Sequence, residues 1–71
     1  MQKISISLSG HQTSITLEKE FFDVLKKIAT ADKTSVAAII NKIDADRDPD
    51  SNLSASVRVY ILRRIMQTAK L

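Results

Sequence analysis

Three structural signals follow one another in residues 12–40, QTSITLEKEFFDVLKKIATADKTSVAAII. Polar and apolar residues alternate over 13–17, which is the period of a half-buried β-strand. Apolar residues then recur at steps of three and four over 18–31 and again over 36–43, and this spacing indicates two amphipathic helices. The segment therefore predicts one short strand followed by two helices, with a turn near Lys33 between them.

Short polar residues mark the start of the second helix. Either hydroxyl of Thr34-Ser35 can accept a hydrogen bond from a first-turn amide, as helix caps do. No Glu or Gln follows three residues later, so the capping box is incomplete and amide donors remain free for an external anion. We expect six apolar residues of the two helices to form the core: Phe21, Phe22, Leu25, Ile39, Ile40 and Ile43.

A second alternating segment, ISISL at 4–8, precedes the first one. Its apolar positions are even-numbered, whereas those of the later strand are odd-numbered, so one continuous strand would place the two sets on opposite faces. A type II′ hairpin turn at Gly10-His11 would bring all of them to one face and set Ile4 opposite Leu17. The alternative is a bulge at the glycine, with the N-terminal residues forming a mobile arm.

The chain is acidic after the second helix and apolar again beyond it. Four aspartates alternate over 44–50, which also holds the only proline, and we interpret 45–52 as a solvated linker. Asn52 or Ser54 can cap a third helix over 53–69. So many of its side chains are apolar that this helix must pack against something, and a partner subunit is the natural candidate.

The first aspartate of the acidic segment has two candidate partners. Asp44 and Arg47 are one helical turn apart and can pair on the surface. Alternatively, Asp44 can reach Arg58 and tie the third helix to the second.

The length and composition narrow the possible classes of protein. A chain of 71 residues forms one domain, and a lone copy buries too little surface to be more than marginally stable. A partner subunit is an economical source of additional core. The net charge of +3 suits an anionic partner. Apolar runs fall far short of the ~20 residues of a membrane span, and no signal peptide is recognisable, so we expect a cytoplasmic protein.

The residues of common catalytic and metal sites are missing. The chain has no cysteine and one histidine, His11, which excludes disulfides, thiolate metal sites and cysteine nucleophiles. The alternating aspartates lack the glycine and glutamate of a calcium loop. We find no nucleophile–base pair and no phosphate-binding loop. We therefore expect no enzyme activity, no catalytic or metal-binding residue and no cofactor.

The order and spacing of these segments resemble the ribbon-helix-helix family of Arc/MetJ/CopG-type DNA-binding proteins. The segments that carry the resemblance are QTSITL at 12–17, EFFDVLKKIA at 20–29 and TSVAAII at 34–40. A closer resemblance, to a short bacterial subfamily with an additional C-terminal helix, adds GH at 10–11, IDADR at 43–47 and NLSASVRVYIL at 52–62.

The resemblance implies an α+β fold in which one strand from each of two subunits pairs into an intermolecular antiparallel β-ribbon. The single domain, 1–71, then divides into an N-terminal strand or arm at 1–11, a ribbon-helix-helix core at 12–44, an acidic linker at 45–52 and a C-terminal helix at 53–69.

The resemblance also implies a function, because the ribbon of this family enters the major groove of DNA. We therefore expect a dimeric, sequence-specific double-stranded DNA-binding transcriptional regulator that acts as a repressor. The side chains implied to contact bases are those of Gln12, Ser14 and Thr16. The residues implied to contact phosphates are Lys33, Thr34, Ser35, Val36 and Ala37. The alternative is a dimeric protein-interaction module without DNA binding, such as an antitoxin or adaptor, whose protein partner binds the C-terminal helix.

Three features depart from the family pattern. A hairpin would give a dimer four strands, which at about 4.8 Å spacing are wider than a ~12 Å groove once side chains are added, so the ribbon could enter the groove only if the outer strands curl away. The three base-contacting positions are all neutral, although the family often has a basic residue among them. Lys33 stands where a glycine commonly ends the first helix, so a different turn is expected there.

Overall fold

The chain begins with a β-hairpin, because a tight turn joins its two alternating segments. A computed structural model describes all residues, 1–71. Strand β1 spans Gln2–Leu8 and strand β2 spans His11–Leu17, and the two pair antiparallel in a two-stranded sheet. The turn residues Ser9 and Gly10 have φ of 50° and 85°. Positive φ at both positions is the type I′ geometry, whose twist matches that of the flanking strands.

The structure supports the predicted hairpin and not the alternative of a mobile arm. The position of the predicted turn is wrong by one residue. The loop is Ser9-Gly10, so Ile4 lies opposite Ile15 instead of Leu17. The predicted and observed registers differ by two positions, and side-chain orientation repeats every two residues. All the apolar side chains therefore still share one face.

The observed register gives the longer ladder. It pairs every residue of β1 with a residue of β2, from Gln2 opposite Leu17 to Leu8 opposite His11. The predicted register would have carried the first two residues of β1 past the end of β2, where they could not join the ladder of hydrogen bonds.

Helix α1 spans Lys19–Ala31. The turn that follows it contains a left-handed residue that is not glycine. Lys33 has a φ of 55°. Its amide donates to the Thr30 carbonyl at 3.2 Å, and the Thr34 amide donates to the Ala29 carbonyl at 2.9 Å. This pair of bonds is the Schellman motif that commonly ends helices. The expectation of a different turn is therefore wrong: the lysine adopts the glycine-type geometry and bears its strain.

Helix α2 spans Val36–Asp46 and helix α3 spans Leu53–Ala69, and each begins at a side-chain cap. Ser35 caps α2 by accepting a hydrogen bond from the third amide of the helix at 3.0 Å. Asn52 caps α3 in the same way at 3.1 Å. The connection between them is residues 47–52. None of the three helices combines the length and the apolar character of a membrane span.

The core lies between one face of the hairpin and the three helices. Its buried side chains are those of Ile4, Ile6, Ile15, Leu17, Leu25, Ile28, Ala29, Ile39, Ile40, Val57 and Ile61. Phe21, Phe22 and Ile43, which we expected in the core, are only half-buried and pack against its edge. So small a chain has too few elements to cover both flanks of a helix.

Asn41 of α2 fastens the hairpin to the helical layer. Its amide nitrogen donates to the carbonyl of Ser7 at 2.9 Å and to that of Ala37 at 2.8 Å. Its side-chain oxygen accepts from the amide of Ser9 at 3.4 Å. One side chain thus fixes the hairpin turn against α2, a contact that the apolar periodicity does not predict.

Ser9→Asn is expected to raise the free energy of unfolding by up to about 1 kcal/mol, part of the strain of a non-glycine residue in this region. Asparagine followed by glycine is the preferred pair for a type I′ turn. Ser5→Asn, on the extended backbone of β1, is the control and is expected to give no gain. Urea denaturation of both variants measures the difference, and equal effects would contradict the turn geometry.

Candidate nucleic-acid interface

The outer face of β2 presents the three residues for which base contacts are expected. Gln12, Ser14 and Thr16 are exposed, whereas Ile15 and Leu17 between and beyond them turn into the core. Successive outward side chains are two residues apart, roughly 7 Å along the strand. The structure thus brings the three predicted side chains into one row on one face.

A second row on the same face comes from β1, and the sequence analysis missed it. The cross-strand pairs are Lys3 opposite Thr16, Ser5 opposite Ser14 and Ser7 opposite Gln12. All three β1 side chains are exposed, and Lys3 forms no ion pair. Lys3 therefore supplies a positive charge beside three neutral positions. The alternation of 4–8 already indicated that the residues between the isoleucines face outward.

The residues for which phosphate contacts are expected lie at the turn between α1 and α2 and in the first turn of α2. They are Lys33, Thr34, Ser35, Val36 and Ala37, of which Val36 is half-buried and the others are exposed. The Ser35 hydroxyl is occupied by its capping bond. The amides of Val36 and Ala37 donate to no group of the chain. Two free N–H groups therefore lie at the positive end of α2, with the Lys33 charge beside them.

The residues expected to contact bases lie on β2, and those expected to contact phosphates lie at the start of α2. Helix α2 connects the two sets. Asn41, which holds the hairpin turn, follows Ser35 by six residues in one helix, about 9 Å along its axis. The spacing between the hairpin tip and the free amides is therefore set by a rigid element.

Two ion pairs tie α3 to the two ends of α1. Arg58 Nε donates to Glu18 Oε1 at 3.1 Å, just before α1 begins. The Arg64 guanidinium donates to both carboxylate oxygens of Asp32, at 2.5 and 2.9 Å, just after α1 ends. The second pair is made at Asp32, immediately before Lys33, so α3 restrains the start of the turn that carries Lys33.

Asp44 takes the first of its two predicted partners. Arg47 Nε donates to Asp44 Oδ1 at 2.9 Å, and Arg47 also donates to the backbone carbonyl of Ser51. The alternative pairing with Arg58 is wrong, because Arg58 is held by Glu18. No three acidic or histidine side chains lie close enough together to hold a metal ion.

Both carboxylates that face α3 have lowered pKa values. A hydrogen bond from its own backbone, followed by that from Arg58, holds the pKa of Glu18 below its ordinary value of 4.5. The hydrogen bond from Arg64 holds the pKa of Asp32 below its ordinary value of 3.8. The same bond to Asp32 raises the pKa of Arg64. The ion pairs are therefore charged at neutral and at mildly acidic pH.

One comparison with known proteins gives a match. The model of the family described as ribbon-helix-helix domain matches residues 1–65, which include the hairpin, all of α1 and α2 and most of α3. Neither the curated proteins nor the solved structures give a match.

Arg64→Gln is expected to lower the melting temperature at neutral pH and to have little effect in acid. Because the folded-state pKa of Asp32 lies below its unfolded value, the stabilisation is fully present above that value, 3.8. It is lost as the pH falls through the lowered pKa. Thermal unfolding from neutral pH to about pH 2 measures the difference between the proteins at each pH.

Lys27→Gln is the control, since Lys27 is an exposed basic residue of α1 that forms no ion pair. Its difference from the unsubstituted protein should not vary with pH. A constant difference for Arg64→Gln over the whole range would contradict the role of the Asp32 pair.

Proposed function

Because the chain belongs to the ribbon-helix-helix domain family, we propose that it is a sequence-specific, double-stranded DNA-binding transcriptional regulator that acts as a homodimer. The observation that carries the proposal is the outer face of the hairpin, which presents exposed polar side chains in two rows and no apolar one. The two β2 strands of a dimer, paired antiparallel about 4.8 Å apart, fit within a major groove about 12 Å wide.

The chemistry of the β2 row suits base edges. The Gln12 amide has a donor and an acceptor and can bond an adenine edge at two atoms. Ser14 and Thr16 can donate or accept, so either can adapt to the neighbouring bases. With no charged group in this row, selectivity comes from the pattern of hydrogen bonds.

The free edge of β2 is where the partner strand pairs, because β1 already occupies the other edge. The dimer then has a four-stranded sheet with the two β2 strands at its centre. Its outer strands lie about 14 Å apart, which is more than the ~12 Å width of the groove, so only the two β2 strands enter it and the β1 strands must curl away towards the phosphates at its edges. Lys3 of β1 is placed for a phosphate contact, which raises affinity without selecting a sequence.

The N-terminus of α2 supplies the second set of phosphate contacts. The free amides of Val36 and Ala37 and the positive end of the helix dipole favour an anion, and Lys33 adds a full charge. The Asp32–Arg64 pair holds this turn in position before DNA binds. Little ordering of the turn is therefore needed on binding.

Occupation of an operator by such a dimer would block transcription, so we propose a repressor of the bacterial cytoplasm. The second candidate is a dimeric protein-interaction module, and the exposed apolar side chains of α3 favour it. Binding to duplex DNA at low salt distinguishes the two. A folded, associated protein that binds no DNA there would reject the regulator and support the module.

Gln12→Ala and Thr16→Ala are expected to reduce the preference for a selected DNA site over mixed sequence. Loss of a two-atom contact by Gln12 should cost roughly 1–3 kcal/mol, or about 5- to 150-fold. Thr13→Ala is the control, because Thr13 lies on the other side of β2, in line with Ile15. Competition binding against mixed duplex DNA measures the ratio, and an unchanged ratio in Gln12→Ala and Thr16→Ala would refute the proposed base contacts.

Lys3→Ala is expected to weaken binding to all sequences alike. Each phosphate contact contributes about −0.9 to the slope of log affinity against log salt, so a dimer should lose about 1.8 from its slope. Lys27→Ala is the control, since Lys27 is an exposed lysine on α1 without an ion pair. Titrations at several salt concentrations give the slopes. Equal slopes for Lys3→Ala and the unsubstituted protein would exclude the contact.

A further inference from the structure

The outer surface of α3 is apolar although nothing in the chain covers it. Val57 and Ile61 are fully buried on the inner side of this helix. Every large apolar residue that is exposed within a helix lies on α3: Val59 at 44%, Leu62 at 53%, Ile65 at 41% and Met66 at 38%. The hairpin, α1 and α2 leave no comparable residue exposed.

Three of these residues continue a regular pattern. Ala55, Val59, Leu62 and Met66 are spaced by four, three and four positions. This is the heptad spacing of the seam between two packed helices, and it is separate from the inner face that contains Ile61. We name these four residues the outer seam.

The total surface of the chain also indicates a missing partner. A monomeric protein of this mass exposes about 4,400 Å². The chain exposes 4979 Å². The excess, roughly 600 Å², is a large part of the ~800 Å² that each partner contributes to a standard interface.

We propose that a second copy of this chain packs its α3 antiparallel on the outer seam. In this arrangement Val59 contacts Leu62 of the partner subunit, and Ala55 contacts Met66 of the partner subunit, twice by symmetry. The small Ala55 lets the two helices approach closely at each end. The inference does not depend on DNA binding.

Charge decides the orientation of the two helices. Arg58 and Arg63 flank the outer seam, one on each side. In a parallel pair these flanking positions face each other across the interface, so Arg58 would meet Arg63 of the partner subunit. In an antiparallel pair, Arg63 of the partner subunit lies beside Ser56 instead. Glu18 compensates the charge of Arg58 in each copy, but Arg63 would still face a second guanidinium, which disfavours the parallel form.

Two carboxylates near Ser56 can pair with that arginine. Ser56 lines a cleft of about 740 Å³ between α2 and α3, together with the acidic Asp46 and Asp48 and the basic Lys42, Arg47 and Arg63. Neither aspartate has an ion-pair partner in the chain, and Arg63 has none either. Ala55 and Val59 line the same cleft, so the seam and the unpaired charges of the two copies meet at one place.

Leu62→Glu is expected to raise the dissociation constant for self-association by at least 100-fold, because it places a carboxylate in the seam of each copy. Leu71→Glu is the matched control: Leu71 is an exposed leucine of the same segment, 84% exposed, and lies outside the helix. Sedimentation equilibrium of the full chain without DNA measures the mass. A monomeric unsubstituted protein, or an unchanged mass for Leu62→Glu, would overturn the proposal.

Disulfide trapping tests the orientation, since the chain has no cysteine of its own. Val59→Cys and Leu62→Cys are prepared as separate proteins and oxidised alone and after mixing. The antiparallel pair predicts a disulfide-linked dimer that forms mainly in the mixture. Efficient linkage of Val59→Cys with itself indicates a parallel pair, and no linkage in any sample indicates no pairing at the seam; either result would refute the arrangement.

Discussion

The burial of one face of the β-hairpin beneath three helices is the contact on which the rest of the structure depends. Leu17 and Ile40 are completely buried in it, as are Val57 and Ile61 of α3. Burying an aliphatic side chain of this size contributes about 1.5–3 kcal/mol. A slip of the strands by one residue would turn a whole apolar row out to solvent, so the face of every strand residue is determined. The polar outer face is a direct consequence.

The same burial determines where the candidate DNA-contacting groups lie. With the isoleucines turned inward, Lys3 and its neighbours on β1 face outward beside the β2 row. Asn41 attaches the hairpin turn to α2, whose N-terminus carries the free amides. The Asp32–Arg64 pair holds the turn before α2 from the other side. The groups proposed to contact bases and those proposed to contact phosphates are thereby parts of one rigid body, as sequence recognition requires.

Helix α3 is apolar on two faces, which explains its high apolar content. Its inner face completes the core, and its arginines clamp both ends of α1. Its outer seam remains uncovered in the lone chain. A chain of 71 residues buries only about 60% of its unfolded surface, so a subunit contact at this helix would stabilise each copy as well as join two of them. The proposed base contacts and the outer seam then lie in different parts of the chain, on β2 and on α3.

Local periodicity was enough to identify β2, the three helices and the outward orientation of Gln12, Ser14 and Thr16, whereas it left β1 open between a strand and a mobile arm. These features depend on which neighbours along the chain are apolar, and that information is contained in the residue order. The exact turn, the left-handed Lys33, the partner of Arg58 and the role of Asn41 depend instead on groups up to 40 residues apart. Such choices follow from competition among distant contacts, as when a longer strand ladder outweighs the preferred place of a glycine. Only the folded chain, in which those contacts are made together, decides them.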